Sequence, residues 1–177
     1  MTFTETTLPG MFVIEADLFA DERGSFEPAW QRDIFARRGL ETAIAQGSIA
    51  VNRRRGTIRG LHYQAPPLDE VKVVRVLRGA AFDVALDLRP DSPTYRRWFG
   101  IELSAENRRM VYLPRGFAHG YQTLADDTAV FYFVSTTYTP DHQRGVRWND
   151  PAFGIVWPID RPAVISARDA AFPDFRG

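Results

Sequence analysis

Three histidines occur in the 177 residues, His62, His119 and His142, and they are the first candidates for proton transfer or metal ligation. His62 stands in Thr57-Ile58-Arg59-Gly60-Leu61-His62-Tyr63-Gln64, and His119 in Pro114-Arg115-Gly116-Phe117-Ala118-His119-Gly120. A metal centre would have His62, His119 and Glu70 to draw on, and with no Cys anywhere no thiolate can join them. The absence of Cys also excludes a disulfide framework and a Cys nucleophile. Lys72 is the single lysine of the chain. In a strand it can serve an anion or extend its stem to solvent. Asp169 closes Ser166-x-x-Asp169, a pattern that reads as a helix capping box. Tyr132 is one of 23 aromatic residues (13 Phe, 6 Tyr, 4 Trp), and a core position accounts for it as readily as a chemical role. His142 follows Pro140-Asp141 and reads as an exposed loop residue.

The elements that must position these groups are short strands. Residues 81–88 alternate, with Phe82, Val84, Leu86 and Leu88 on one side and Ala81, Asp83, Ala85 and Asp87 on the other. Arg89-Pro90-Asp91-Ser92-Pro93 then reads as a turn. Further strands are expected over 71–77, 110–113, 120–124 and 129–138, several rich in Val, Tyr and Phe. Residues 32–38, closed by Gly39, predict a short helix with a Gly cap, and residues 166–169 the start of another. Many short strands with turn signals indicate a sandwich or barrel. Neither repeats nor low-complexity segments interrupt the chain, which predicts one domain over residues 1–177.

Composition narrows the function classes. Basic and acidic residues balance at 22 each, which argues against an extended nucleic-acid footprint. Apolar residues at 45% and charged residues at 25% are ordinary for a globular chain. The first ten residues lack a basic segment followed by an apolar run, and no apolar stretch approaches ~18 residues. A cytoplasmic protein with no membrane or nucleic-acid partner is expected.

The two histidine segments resemble the paired motifs of cupins, all-β double-stranded jelly rolls. The second, Pro-x-Gly-x-x-His, matches well. In the first, Gln64 occupies the place where metal cupins carry a second His, so a jelly roll without metal is expected. A wider resemblance then covers nearly the whole chain in order. It begins at Asp21-Glu22-Arg23-Gly24 and includes Arg59-Gly60-Leu61-His62-Tyr63-Gln64, Phe82-Asp83-Val84 and Asp87-Leu88-Arg89. It continues through Ser92-Pro93-Thr94-Tyr95, Leu103-Ser104-Ala105-Glu106-Asn107 and Pro114 to Gly120, and through Trp148-Asn149-Asp150 and Trp157-Pro158. It ends at Ser166-Ala167-Arg168-Asp169-Ala170-Ala171. In these segments the chain resembles the dTDP-4-dehydrorhamnose 3,5-epimerase family.

The resemblance implies epimerisation of a nucleotide-linked 4-keto-6-deoxy sugar, without a cofactor or a metal. It assigns His62 as the base that removes a proton beside the ketone, Asp169 as its partner, Lys72 as the cation near the keto oxygen and Tyr132 as the acid on the opposite face. It places Arg23, Arg59 and His119 at the diphosphate and sugar, Phe26 and Tyr138 against the nucleoside, and Gln46 among the substrate-binding residues. It also implies a homodimer in which exchanged N-terminal strands carry Arg23 and Phe26 into the neighbouring site. Ser25, Pro28 and Tyr121 stand where the family usually has other residue types, so nucleotide recognition is where this chain departs most. A single-site epimerase on another nucleotide-linked keto sugar, a metal cupin oxygenase or isomerase, and a non-catalytic sugar-binding jelly roll are the alternatives.

Overall fold

The computed structural model describes residues 1–176. In chain order its elements are β1 (Thr2–Glu5), β2 (Phe12–Glu15), β3 (Phe19–Asp21), β4 (Gly24–Phe26), α1 (Arg32–Arg37), β5 (Gln46–Asn52), β6 (Thr57–Gln64), β7 (Lys72–Arg78), β8 (Ala80–Asp87), β9 (Trp98–Ser104), β10 (Met110–Leu113), β11 (Phe117–Thr123), β12 (Thr128–Val134), β13 (Gln143–Gly145), β14 (Val164–Ile165) and α2 (Ala167–Ala170). One antiparallel sheet runs β1-β2-β10-β7-β12-β5. The second runs β13-β6-β11-β8-β9, with β14 pairing parallel to β6, and β3-β4 form a separate hairpin. The two sheets face each other as the expected all-β jelly roll.

Three apolar clusters explain the layering. Val74, Val76, Val111, Leu113 and Val130 from the first sheet meet Ala81, Ala85, Leu103 and Phe117 from the second, forming the interior. The outer side of the first sheet is covered at Ile14, Val73, Met110 and Tyr112 by Phe35 of α1 and by Trp30. The outer side of the second sheet carries Ile58, Leu61, Val84 and Leu86 under Phe153 and Trp157 of the C-terminal arm. Each such buried aromatic contributes roughly 1.5–3 kcal/mol. The alternation read in β8 is therefore real, but both of its faces are buried. Phe82, Val84, Leu86 and Leu88 lie under the arm, while the side bearing Ala81, Asp83 and Ala85 turns into the barrel.

The arm is tied down by polar contacts as well. The buried Gln122 side chain exchanges two hydrogen bonds with the backbone of Ile159, at 2.8 and 2.9 Å. Ala163 N–H then donates to Gly56 O, and β14 joins β6. This docking delivers α2 to the edge of the second sheet.

The residues expected to form strands do so, most of them with shifted ends. The strand expected over 129–138 stops at Val134. Beyond it the chain leaves the sheet, because Ser135 closes onto Val71 through both its N–H and its hydroxyl, and Thr139 N–H turns to Gln64. The helix expected over 32–38 forms and ends at Gly39, whose φ of 69° and N–H to Ala36 O make the Gly cap. His142 is half-buried rather than exposed, in a 3₁₀ turn with Nδ1 on Ala65 O.

The turn after β8 is built on Asp87, whose side chain is fully buried. It accepts from Arg89 Nε and Nη2, Ser92 Oγ and Thr94 Oγ1, at 2.6–2.9 Å. Burial alone would raise this carboxyl, but these donors outweigh it and hold its pKa at about 2. A carboxyl depressed on folding contributes stability that is fully present above its unfolded value near 3.8 and is lost as pH falls through about 2. Asp87→Asn should therefore cost on the order of 2 kcal/mol at pH 6, and the gap to the wild type should shrink between pH 4 and 2. Urea denaturation across that range measures it, and a gap independent of pH would contradict the assignment.

Candidate active site

Between the sheets lies a cavity of about 370 Å³. Lys72, Tyr132 and Val134 of the first sheet form one wall with Gln46 and Ala50 of its edge strand. Arg59, His62, Gln64, His119 and Tyr121 of the second sheet form the other, and Tyr138 and Gln143 also line it. Of the ten residues singled out in the sequence, seven line this cavity: His62, Tyr132, Lys72, Gln46, Arg59, His119 and Tyr138. Asp169 stands behind His62.

A β-bulge places Arg59 and His62 on the same side of β6. His119 pairs with His62 and Tyr121 with Arg59, so Gly60 and Leu61 together oppose Gly120. The bulge demands glycine at position 60. Its φ is 106°, and a Cβ there would lie 2.6 Å from His119 O. The freed Gly60 N–H points to the arm and donates to Asp169 Oδ2 at 3.0 Å.

Asp169 Oδ1 lies 2.8 Å from His62 Nε2. The carboxylate is buried, which alone would raise its pKa, yet the hydrogen bonds from His62 and Gly60 N–H and the His62 charge hold it below the usual value. It is thus an anion suited to fixing the His62 tautomer with the proton on Nε2, leaving Nδ1 as the free basic nitrogen. Capping and pairing coexist here: Asp169 N–H donates to Ser166 Oγ at 3.0 Å while its carboxylate holds His62. Phe172 packs edge-on against the His62 ring, with centroids 6.0 Å apart. Gly145, the β13 partner of His62, leaves the room for that ring, since a Cβ there would collide with it.

On the same wall, His119 Nε2 lies 2.8 Å from Asp83 Oδ2, and both residues are buried. Across the cavity Lys72 Nζ pairs with Glu70 Oε1 at 3.0 Å. Glu70 Oε2 accepts from Gln64 Nε2 at 3.2 Å, and Gln64 Oε1 accepts the Thr139 N–H at 2.7 Å. The place of a second metal-cupin His is thus filled by a side chain that ties β6 to the loops at 68–70 and 137–139. Among the described residues no group of three or more His, Asp or Glu is placed to hold a metal ion. Tyr138 is 45% exposed, with its hydroxyl donating to Gln143 Oε1 at 2.6 Å and its N–H facing Gln46 Oε1.

Arg23 and Phe26 are not brought to this cavity. They lie on the β3-β4 hairpin, where Arg23 is paired with Asp21 and Phe26 is 69% exposed. Asp83, Asn52 and Phe172 are contacts that sequence reasoning did not single out, and Glu70, weighed there only as a metal ligand, is instead the partner of Lys72. For Asp83 a signal existed: an acidic residue alternating with alanines inside a strand marks a tight interior face.

A sequence model of the dTDP-4-dehydrorhamnose 3,5-epimerase family matches residues 5–177. The chain belongs to this family. Enzymes of the family from Methanothermobacter thermautotrophicus and Sinorhizobium fredii are 41% and 39% identical to it, each over 98% of this chain and over 94% and 89% of their own. Among solved structures, the epimerase from Bacillus anthracis, with TDP and PPi bound, is 38% identical with a TM-score of 0.95, covering 98% of this chain and 99% of that one. A 3'-monoepimerase from Streptomyces bikiniensis in complex with dTDP-quinovose is 33% identical with a TM-score of 0.89, covering 96% of this chain and 85% of that one. The expected fold and the expected reaction class, sugar epimerisation by an isomerase, are those of the family.

Proposed function

We propose that this epimerase acts on a dTDP-linked 4-keto-6-deoxy sugar and inverts C3 and C5 by proton removal and return on opposite faces. The observation that carries the reading is the placement of the His62–Asp169 pair on one wall of the cavity and Tyr132 on the facing wall. A proton beside a ketone is weakly acidic, so its removal needs a positioned base and stabilisation of the enolate oxygen. His62 Nδ1 takes the proton while Asp169 supports the imidazolium. Lys72, steadied by Glu70, faces the enolate oxygen. Tyr132 returns a proton from the other side. Its hydroxyl has no partner among the described residues, which leaves it available to substrate.

The remaining roles follow the resemblance to the family, and their residues line the cavity. Arg59 and His119 meet the diphosphate and sugar, Tyr138 borders the nucleoside, and Gln46 is a further substrate contact. The exposed β3-β4 hairpin, with Arg23 and Phe26 away from its own cavity, supports a homodimer in which each hairpin completes the partner's site. The exposed Ile49 and Val51 on edge strand β5 suit such pairing. The reading is of one cytoplasmic catalytic domain that uses no metal or cofactor.

The test is incubation with dTDP-4-keto-6-deoxyglucose in deuterium oxide, followed by NMR. Deuterium at both C3 and C5 of an inverted product is expected. Label and inversion at C3 alone would reassign the chain to single-site epimerisation, and no label at either carbon would overturn the reading.

A further inference from the structure

Arg59 reaches the cavity with one of its nitrogens already committed. Its Nε donates to Asn52 Oδ1 at 2.8 Å, whereas Nη1 and Nη2 have no partner among the described residues. Asn52 is buried in the wall, and its orientation is settled by its own donors. Nδ2 donates to Ala50 O and to Thr128 O, each at 3.1 Å, which leaves Oδ1 to face the guanidinium. The buried Tyr121 hydroxyl sits against the same amide, 3.3 Å from Nδ2 and 3.4 Å from Oδ1.

We infer that Asn52 and Tyr121 are positioning residues that fix the roll of the Arg59 guanidinium, so that its Nη1–Nη2 edge is presented to the diphosphate of the substrate. A guanidinium is a rigid planar fork, and pinning Nε inward leaves a single bidentate edge for an anion. Without the pin, the side chain must give up rotamer freedom when the ligand arrives, and that cost is taken from affinity. Burial pushes the Tyr121 hydroxyl up to about 12, so it stays protonated and keeps its contact with the amide throughout the working range.

This inference rests on the proposed nucleotide-sugar reading of the cavity, and TDP is the probe that separates the two. Titration calorimetry on the full chain should show TDP binding weakened about 50-fold by Arg59→Ala, the loss of a charge-assisted contact. Asn52→Ser should weaken it about tenfold, with melting confirming that the variant folds. Tyr121→Phe keeps the ring, is the safer variant for folding, and should cost about threefold. Because both act through Arg59, either change combined with Arg59→Ala should bind no worse than Arg59→Ala alone. Additive losses, or TDP affinity unchanged in both Asn52→Ser and Tyr121→Phe, would overturn the positioning role while leaving the functional reading intact. Failure of the wild type to bind TDP would overturn that reading and this inference with it.

Discussion

Replacing His62 by Ala should lower turnover by about 10³- to 10⁴-fold in a chain that still folds. The base is an imidazole whose orientation is fixed by Nε2 on Asp169 at 2.8 Å and by Phe172 packed against its ring. Deleting the ring removes the proton acceptor and leaves the carboxylate with Gly60 N–H alone. The structural cost is that of one half-satisfied buried oxygen, about 1–2 kcal/mol, or roughly 2–8 °C in melting temperature for a chain of this size. Exchange at C3 and C5 and the melting curve, measured on the same preparation, separate lost chemistry from lost structure. A folded variant with near-normal exchange would mean that another group removes the proton.

Tyr132→Phe should have an equally large effect of a different kind. The ring is packed against the interior cluster, so the substitution preserves the wall and deletes only the hydroxyl. With His62, Asp169 and Lys72 unchanged, proton removal continues. The enolate is then reprotonated mainly from the His62 side, and the sugar exchanges hydrogen with solvent while keeping its configuration. Formation of inverted product should fall by about 10²- to 10⁴-fold, the usual contribution of a general acid. Three other tyrosines line the cavity, and of these Tyr63 packs against the cluster under the arm with its hydroxyl pushed up by burial. Tyr121 is held against Asn52 with its pKa raised to about 12, which makes it a poor donor of protons. Tyr138 is directed to Gln143 and partly exposed, so it is the first to examine if inversion survives.

The strands were legible where turn residues bound them closely. Residues 110–113 form the expected strand without adjustment, and the alternation over 81–88 marks β8. What alternation could not convey is that the barrel has a third layer: the C-terminal arm buries the side of β8 that a two-layer sandwich would leave wet. The strand expected over 129–138 was read too long because Thr and Tyr favour strands locally, while the contacts that pull 135–139 away, Ser135 to Val71 and Thr139 to Gln64, are long-range. The site follows the same division. His62 and His119 stand in local motifs, but Asp169 lies 107 positions from its partner and only the resemblance pointed to it. Asn52 carries no local mark of its role, since a polar residue in a strand looks the same whether it faces water or a buried partner, and nothing near Glu70 in the sequence marks it as the partner of Lys72. Arg23 and Phe26 could be proposed as binding residues only through an assembly, and in the single chain they indeed sit on a hairpin away from the cavity.

Two-face proton transfer is tested most directly by the ratio of deuterium incorporated to epimer formed in Tyr132→Phe, with His62→Ala measured beside it. Incubation of each variant with dTDP-4-keto-6-deoxyglucose in deuterium oxide, followed by NMR, supplies both quantities. The expected result is a ratio far above that of the wild type in Tyr132→Phe, from abundant label with retained configuration, and neither label nor epimer in His62→Ala. Epimer formation by Tyr132→Phe at the wild-type rate, or a parallel loss of label and epimer in both variants, would contradict the assignment of removal and return to opposite walls of the cavity.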